Sequence, residues 1–262
     1  MDTIELALKL RRLTQWLDGN CQPAGFIRKQ FQGPPYGNCY VTIDPDRQGP
    51  FASANQNRVY LCGTEAGMDS DSLRRLIDLF TGQGVNRFFV WLSPGPDMDV
   101  VRGWLEQGEF TRLRRTGYPT LCRSGRSPLH FNTDLEVRQV SAEEIVAARD
   151  QMGQIMWPEY ARPAGKPGFY HYMAYDGRRP VAIAALAMFE DIGYLMAAAT
   201  IESHRQRGAQ QALIAKRIKR AEQVGCSMLV AETLHMIEHS YRNLQRAGFD
   251  EVYEKEVYEW SA

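Results

Sequence analysis

The chain has 262 residues, enough for two compact domains, and its 31 Lys plus Arg against 31 Asp plus Glu leave a formal charge of +0. No global basic field is present to draw nucleic acid or an anionic membrane, so a small polar substrate fits better. Five cysteines (Cys21, Cys39, Cys62, Cys122, Cys226) without a C-x-x-C spacing argue against a disulfide framework or thiolate zinc site and for a reducing cytoplasm, while acidic Asp2 and Glu5 and the short apolar run Val181 to Phe189 argue against an export signal or anchor.

Taken in order, Leu6, Leu10, Leu13 and Leu17 recur at helical spacing before Gly19, which predicts an amphipathic helix stopping at that glycine. From Asn20 to Asn57 the chain is rich in Gly, Pro, Asn and Gln, and only Tyr40 to Ile43 reads as a strand, closed by the Asp44-Pro45 turn. This stretch is either the edge of a cleft or a surface excursion. Arg58 to Cys62 reads as a strand, Ser70 to Phe80 as a helix, Arg87 to Leu92 as a strand, Asp97 to Gln107 as a helix, and Thr111 to Cys122 as a strand broken at Gly117 and Pro119. Linker composition over Arg123 to Asp134 divides the chain into residues 1–125, a linker at 126–134, and residues 135–262. Leu135 to Val140 follows as a strand, and Ser141 with Glu144 forms a capping box for the next helix. Trp157 to Gly168, with Arg162, Lys166 and prolines among aromatics, has the composition of a stiff connector. Phe169 to Tyr175 and Pro180 to Phe189 make a hairpin about Asp176-Gly177, and Glu190 and Asp191 lead into the strand Ile192 to Ile201.

That strand runs into Arg205, Gln206, Arg207, Gly208, Ala209 and Gln210, a basic turn ahead of the amphipathic stretch Gln211 to Val224. Such a handover leaves the first N–H groups of a helix unpaired, a cradle for a phosphate. Gly208 lets a ligand approach the main chain, and Arg205 and Arg207 add charge. The order of glycines is neither a P-loop nor G-x-G-x-x-G. Alone, two arginines around one glycine are more often a solvated turn than a ligand site. After it come the helix with Ile214, Ile218 and Ala221 on one face, a stop at Gly225, the strand Met228 to Ala231, the helix Glu238 to Arg246, Gly248-Phe249 and a last strand.

This succession resembles the GNAT superfamily of N-acetyltransferases, whose coenzyme motif is Q/R-x-x-G-x-G/A: Arg205 and Gly208 match, as do Ser240, Gly248 and Phe249, while Gln210 departs from the usual Gly or Ala. The resemblance covers the last half of the chain. It implies an α/β (α+β) fold with a mixed, mostly antiparallel sheet flanked by helices. It also implies acetyl-CoA as cosubstrate, with its pyrophosphate on the amides of Gln206 to Gln210, its pantetheine along Ala198, Ala199 and Thr200, and Asn243 beside the pantetheine or ribose. Trp157 to Gly168 would then face the acceptor. The implied activity is direct acetyl transfer to a primary amine of a small molecule or a protein, with no nucleic acid or membrane as partner and a homodimer left open. Glu232 is the first choice for the base, with Glu190 and Asp191 behind it. The family's usual acid is a tyrosine where this chain has Leu244, so Tyr241, one turn earlier, is the candidate. A non-catalytic coenzyme A-binding module is the alternative. More remotely, His235, Glu238 and His239 match H-x-x-E-H, an inverted zinc-peptidase motif.

The first half repeats this pattern at an offset of about 140 residues: Gly84 to Val90 lies over Gly225 to Ala231, and Trp104 to Gly108 over Leu244 to Gly248. Where the basic turn should stand, Gly63 to Asp71 carries Glu65, Asp69 and Asp71, which would repel a pyrophosphate. Two similar tandem domains are expected, the first degenerate and without the coenzyme motif.

Overall fold

The computed structural model describes residues 2–48, 56–114, 117–124, 129 and 131–262. It opens on α1 (Thr3–Cys21), capped by the Asp2 side chain on the Glu5 N–H. The helix continues past the expected stop at Gly19, and Asn20 donates from its side chain to the Trp16 carbonyl. The first half continues through β1 (Ile27–Gln30), β2 (Tyr40–Ile43), β3 (Arg58–Cys62), α2 (Ser72–Thr81), β4 (Arg87–Ser93), α3 (Met98–Gln107), β5 (Thr111–Arg112) and β6 (Tyr118–Arg123). The second contains β7 (Glu136–Val140), α4 (Ala142–Met152), α5 (Pro158–Ala161), β8 (Phe169–Asp176), β9 (Arg179–Phe189), β10 (Ile192–Thr200), α6 (Ala209–Gln223), β11 (Met228–Glu232), α7 (Glu238–Arg246) and β12 (Asp250–Ser261). Both hydrogen bonds of the Ser141–Glu144 capping box are present.

Among the described residues, twelve strands form one sheet in the order β1-β2-β3-β4-β12-β6-β11-β10-β9-β8-β7, with β5 pairing on β12. It is mostly antiparallel, and the parallel pairs are β3–β4 and β10–β11. Each of these two pairs is joined through a helix, so the strand-helix-strand-helix-strand order recurs in the two halves. The sheet passes without a break over the expected boundary, whose residues 125–128 and 130, including His130, lie outside the described ones. What joins the halves is an exchange of terminal strands. The last strand of the first half, β6, pairs with β11 from Leu229↔Arg123 to Glu232↔Thr120. The last strand of the chain, β12, pairs first with β6 and then, from Glu256↔Leu92 to Ser261↔Arg87, with β4.

Alternation along the strands fills both faces. On one face Val59, Leu61, Phe88, Val90 and Leu92 pack under α2 and α3 through Leu76, Phe80, Val101 and Leu105. Ala182, Ala184 and Leu186 of β9 pack on the same principle under α6 and α7 through Leu213, Ile214, Ile218 and Leu244. The intervening residues Ile183 and Ala185 meet α4 and α5 at Ile145, Met152 and Tyr160. α1 crosses the middle, where Leu6, Leu10 and Leu13 cover Cys62 of the first half together with Ile192 and Val230 of the second. Arg162 donates to the Cys21 carbonyl and Lys166 to that of Asn20 at 2.7 Å, which anchors the segment after α5 on the C-terminal end of α1, where cations are favoured.

Candidate functional site

β10 changes partners along its length. Its parallel pairing with β11 runs from Ile192↔Met228 to Leu195↔Ala231 and ends there. Its antiparallel pairing with β9 continues to Thr200↔Ala182, with a register slip between Met196 and Ala198. The residue inside the slip, Ala197, has φ +43°, the left-handed region that a residue with a Cβ seldom occupies. Met196 to Thr200 are thus bound to β9 on one side only, and the edge turned toward β11 is open. Ala198, Ala199 and Thr200 lie on this segment. A hydrogen bond of 2.9 Å from Gln210 Nε2 to Thr200 Oγ1 ties it to the first turn of α6.

α6 begins at Ala209, and no side chain caps it. Its first intrahelical bond here is Ala212 N–H to the Gly208 carbonyl at 3.0 Å, so the N–H groups of Ala209, Gln210 and Gln211 have no acceptor within the helix. Gln206, at φ +64°, and Gly208, at φ +77°, turn the chain into this start. Two expectations for the turn need correction. A Cβ on Gly208 would collide with the backbone carbonyl of Asn132, so the glycine makes room for this chain's own segment before β7 and not for a ligand. Arg207 is not a free cation: it pairs with Asp134 and, at 2.7 Å, with Asp176 in the β8–β9 turn. Its hydrogen bonds hold both carboxyls below the usual carboxylate range. Asp176 also meets His204 at 3.2 Å. Arg205 remains as the exposed charge of the turn, 4.0 Å from Glu202.

Glu232 stands one residue beyond the last β10–β11 pair. Its carboxylate receives Lys255 Nζ at 2.6 Å, Thr120 Oγ1 at 3.0 Å and the Tyr194 hydroxyl at 3.2 Å. Thr120 belongs to β6 and Lys255 to β12, so the strand exchange carries a residue of the first half into contact with the candidate base. Burial, with Glu232 beside it, raises the Tyr194 pKa well above its ordinary value and keeps the phenol protonated. None of these three partners is among the sequence-derived site residues. Tyr194 alone left a signal, a polar group within the apolar strand Ile192–Thr200, whereas Lys255 is one of many charged residues on β12.

The other candidates lie elsewhere. The Tyr241 hydroxyl donates to Glu251 at 2.7 Å, and this bond raises its pKa. Leu244 is a core residue, so the position of the usual acid bears no proton. Asn243 sits on α7 with Arg246 Nη1 at 3.4 Å from its Oδ1. Glu190 lies near Lys9 and Arg12 at 3.9 and 3.3 Å, and Asp191 pairs with Lys9, all at the outer end of the hairpin leading to β10. The H-x-x-E-H pattern does not form its helical arrangement, because α7 starts only at Glu238. His235, before the helix, instead meets Glu254 at 2.6 Å and joins Glu251 and Glu254 in a group whose ligand atoms lie within 4.8 Å of one another. No helix among the described residues is long and apolar enough to cross a membrane.

Residues 136–249 match the model of the Acetyltransferase (GNAT) family. No curated protein matches the chain. Among solved structures, a GCN5-related N-acetyltransferase from Kribbella flavida superimposes with a TM-score of 0.67 at 18% identity, over 99% of this chain and 95% of the other. A tandem GNAT protein from the clavulanic acid biosynthesis pathway gives 0.56 at 9% identity over 97% and 96%. A GCN5-related N-acetyltransferase from Sphaerobacter thermophilus gives 0.58 at 11% identity over 85% and 80%. At these identities the likeness is one of fold.

Proposed function

We propose that the chain, whose residues 136–249 match the model of the Acetyltransferase (GNAT) family, is an acetyl-CoA-dependent N-acetyltransferase that acetylates a primary amine. The observation that carries this reading is the continuity of β10's open edge, with Glu232 at the point of separation, and the uncapped start of α6, joined by the Gln210–Thr200 hydrogen bond. The pyrophosphate would lie on the amides of Ala209 to Gln211 with Arg205 at its rim. The pantetheine would follow Ala198, Ala199 and Thr200 in place of the missing strand, as an extended chain adds to a sheet edge.

Acetyl-CoA supplies an activated acyl carbonyl and a thiolate leaving group. The neutral amine attacks the acyl carbon, and Glu232 takes the proton that its nitrogen sheds as the C–N bond forms; as the C–S bond breaks, Tyr194 donates its proton to the departing thiolate and recovers one from Glu232. The first half contributes through Thr120 and the shared sheet, not through a second coenzyme site, since Gly63 to Asp71 offers carboxylates where the phosphates would lie. Glu65 there accepts from the Cys62 N–H at 2.7 Å and pairs with Arg11.

Thermal unfolding with acetyl-CoA, coenzyme A, NAD and zinc in parallel tests the proposal, comparing wild type with Arg205→Glu. Acetyl-CoA at about 100 times its Kd stabilises the wild type by about 2.7 kcal/mol, and the variant gains less at the same concentration. Thiol release with a panel of amines then separates turnover from binding. Leu244 gives a specific ground for the second reading, a coenzyme A-binding module, and stabilisation without thiol release for any amine would favour it. No response to acetyl-CoA or coenzyme A rejects both.

A further inference from the structure

Arg217 lies on the apolar stripe of α6 with Ile214, Ile218 and Ala221, and it is 2% exposed. Among the described residues no carboxylate pairs with it. Its Nε donates to the Leu213 carbonyl at 3.1 Å, and its Nη1 donates to the carbonyls of Ala185 and Met196, each at 3.3 Å. Ala185 and Met196 are the register partners at which the β9–β10 ladder slips. The guanidinium therefore bridges the two strands at the bulge. Burial lowers its pKa to about 9, so it is still a cation at neutral pH.

The Met196 carbonyl and the Ala197 N–H belong to one peptide group. The only cis bond among the described residues is Pro34-Pro35, so this group is trans and its two dipoles point in opposite directions. The carbonyl shares a donor with Ala185 of β9, which places it on the β9 side. The Ala197 N–H is then turned the other way, into the gap that β11 leaves after Leu195. A charged donor on the carbonyl also polarises the N–H of the same peptide.

We propose that Arg217 is a positioning residue that holds the Met196–Ala197 peptide so that the Ala197 N–H meets the thioester carbonyl oxygen of the bound acyl donor. This rests on the acetyl-CoA reading above. Arg217 touches neither substrate nor coenzyme and acts only through the peptide.

Infrared difference spectroscopy of acetyl-CoA labelled with 13C at the acetyl carbonyl reads the donor directly and needs no acceptor. In the wild type the bound carbonyl stretch moves to lower wavenumber than in free acetyl-CoA. In Arg217→Met the labelled acetyl-CoA still binds but that displacement is lost, and Arg217→Lys recovers part of it. Once an accepting amine is found, Arg217→Met lowers kcat by about 10²-fold with KM for acetyl-CoA nearly unchanged. An unaltered displacement in Arg217→Met overturns the proposal and leaves the acetyl-CoA reading standing. Absence of acetyl-CoA binding by the wild type overturns both. Where Arg217→Met does not fold, Ala197→Gly is added to relieve the positive φ. A folded double variant without the displacement supports the role, and one that regains it shows that Arg217 only stabilises the bulge.

Discussion

Lys255 Nζ lies 2.6 Å from Glu232 Oε1, an ion pair formed diagonally across β6, with the two side chains only 4% and 10% exposed. Removing one partner leaves the other charge buried alone, which costs far more than the pair contributes. Lys255→Met is expected to lose about 3–5 kcal/mol in urea unfolding, and Glu232→Gln added to it restores part of that loss. Additive losses in the double variant would show that the two side chains do not depend on each other.

Gly208 supports a second test that involves no ligand. Its φ of +77° and the Asn132 carbonyl beside it leave no room for a methyl group. Gly208→Ala should therefore lower the stability of the free protein by more than about 1 kcal/mol. Equal urea midpoints for the two proteins would mean that the segment before β7 moves aside freely, and the glycine would again be open to a role in approach to a ligand.

Much of this architecture could be read from the chain. β2, β3 and α7 coincide with their expected limits, because alternating or helical apolar spacing and clear turn residues mark them. β1 is missed because Arg28, Lys29 and Gln30 give an edge strand no apolar pattern. The strand exchange is invisible for another reason: the alternation in β12 says which face is buried but not whether β4 or β6 lies beside it. At the candidate site, the basic turn from Arg205 to Gln210 is apparent as a motif, whereas the state of Arg207 depends on Asp134 and Asp176, distant in sequence and adjacent only in the fold. Arg217 left a trace. It interrupts the i, i+3, i+4, i+7 stripe formed with Ile214, Ile218 and Ala221, and an arginine in that place must find acceptors inside.

Two tyrosines separate the proton-handling alternatives. Tyr194 donates to Glu232, and Tyr241 donates to Glu251 at the start of β12. Tyr194→Phe should lower kcat by about 10²-fold, the low end of what a proton-transferring group contributes, and Tyr241→Phe should stay within about twofold of wild type. Both variants keep the aromatic ring and hence the packing. The reverse ranking in a thiol-release assay would move the acid to α7 and withdraw the relay through Tyr194.

Acid sensitivity should trace to His171. This ring is buried on β8, with Nε2 2.7 Å from the Tyr160 carbonyl and the Tyr160 ring edge-on at 4.9 Å between centroids. A carbonyl only accepts, so Nε2 carries the proton of a neutral imidazole. Burial pushes the pKa below its ordinary value of 6.5, against the smaller opposing effect of that hydrogen bond. The sign follows from proton counting. Between the lowered folded value and 6.5 the unfolded chain binds a proton that the folded chain does not, so stability falls as pH falls. This contribution is complete above 6.5, and below it the loss reaches at most about 1.4 kcal/mol per pH unit until the folded ring itself titrates. His171→Gln keeps a donor for Tyr160 and removes the titration. Urea unfolding at successive pH values should show a flatter dependence for the variant between pH 6.5 and the folded-state pKa. Parallel curves for the two proteins would assign the acid sensitivity to other groups.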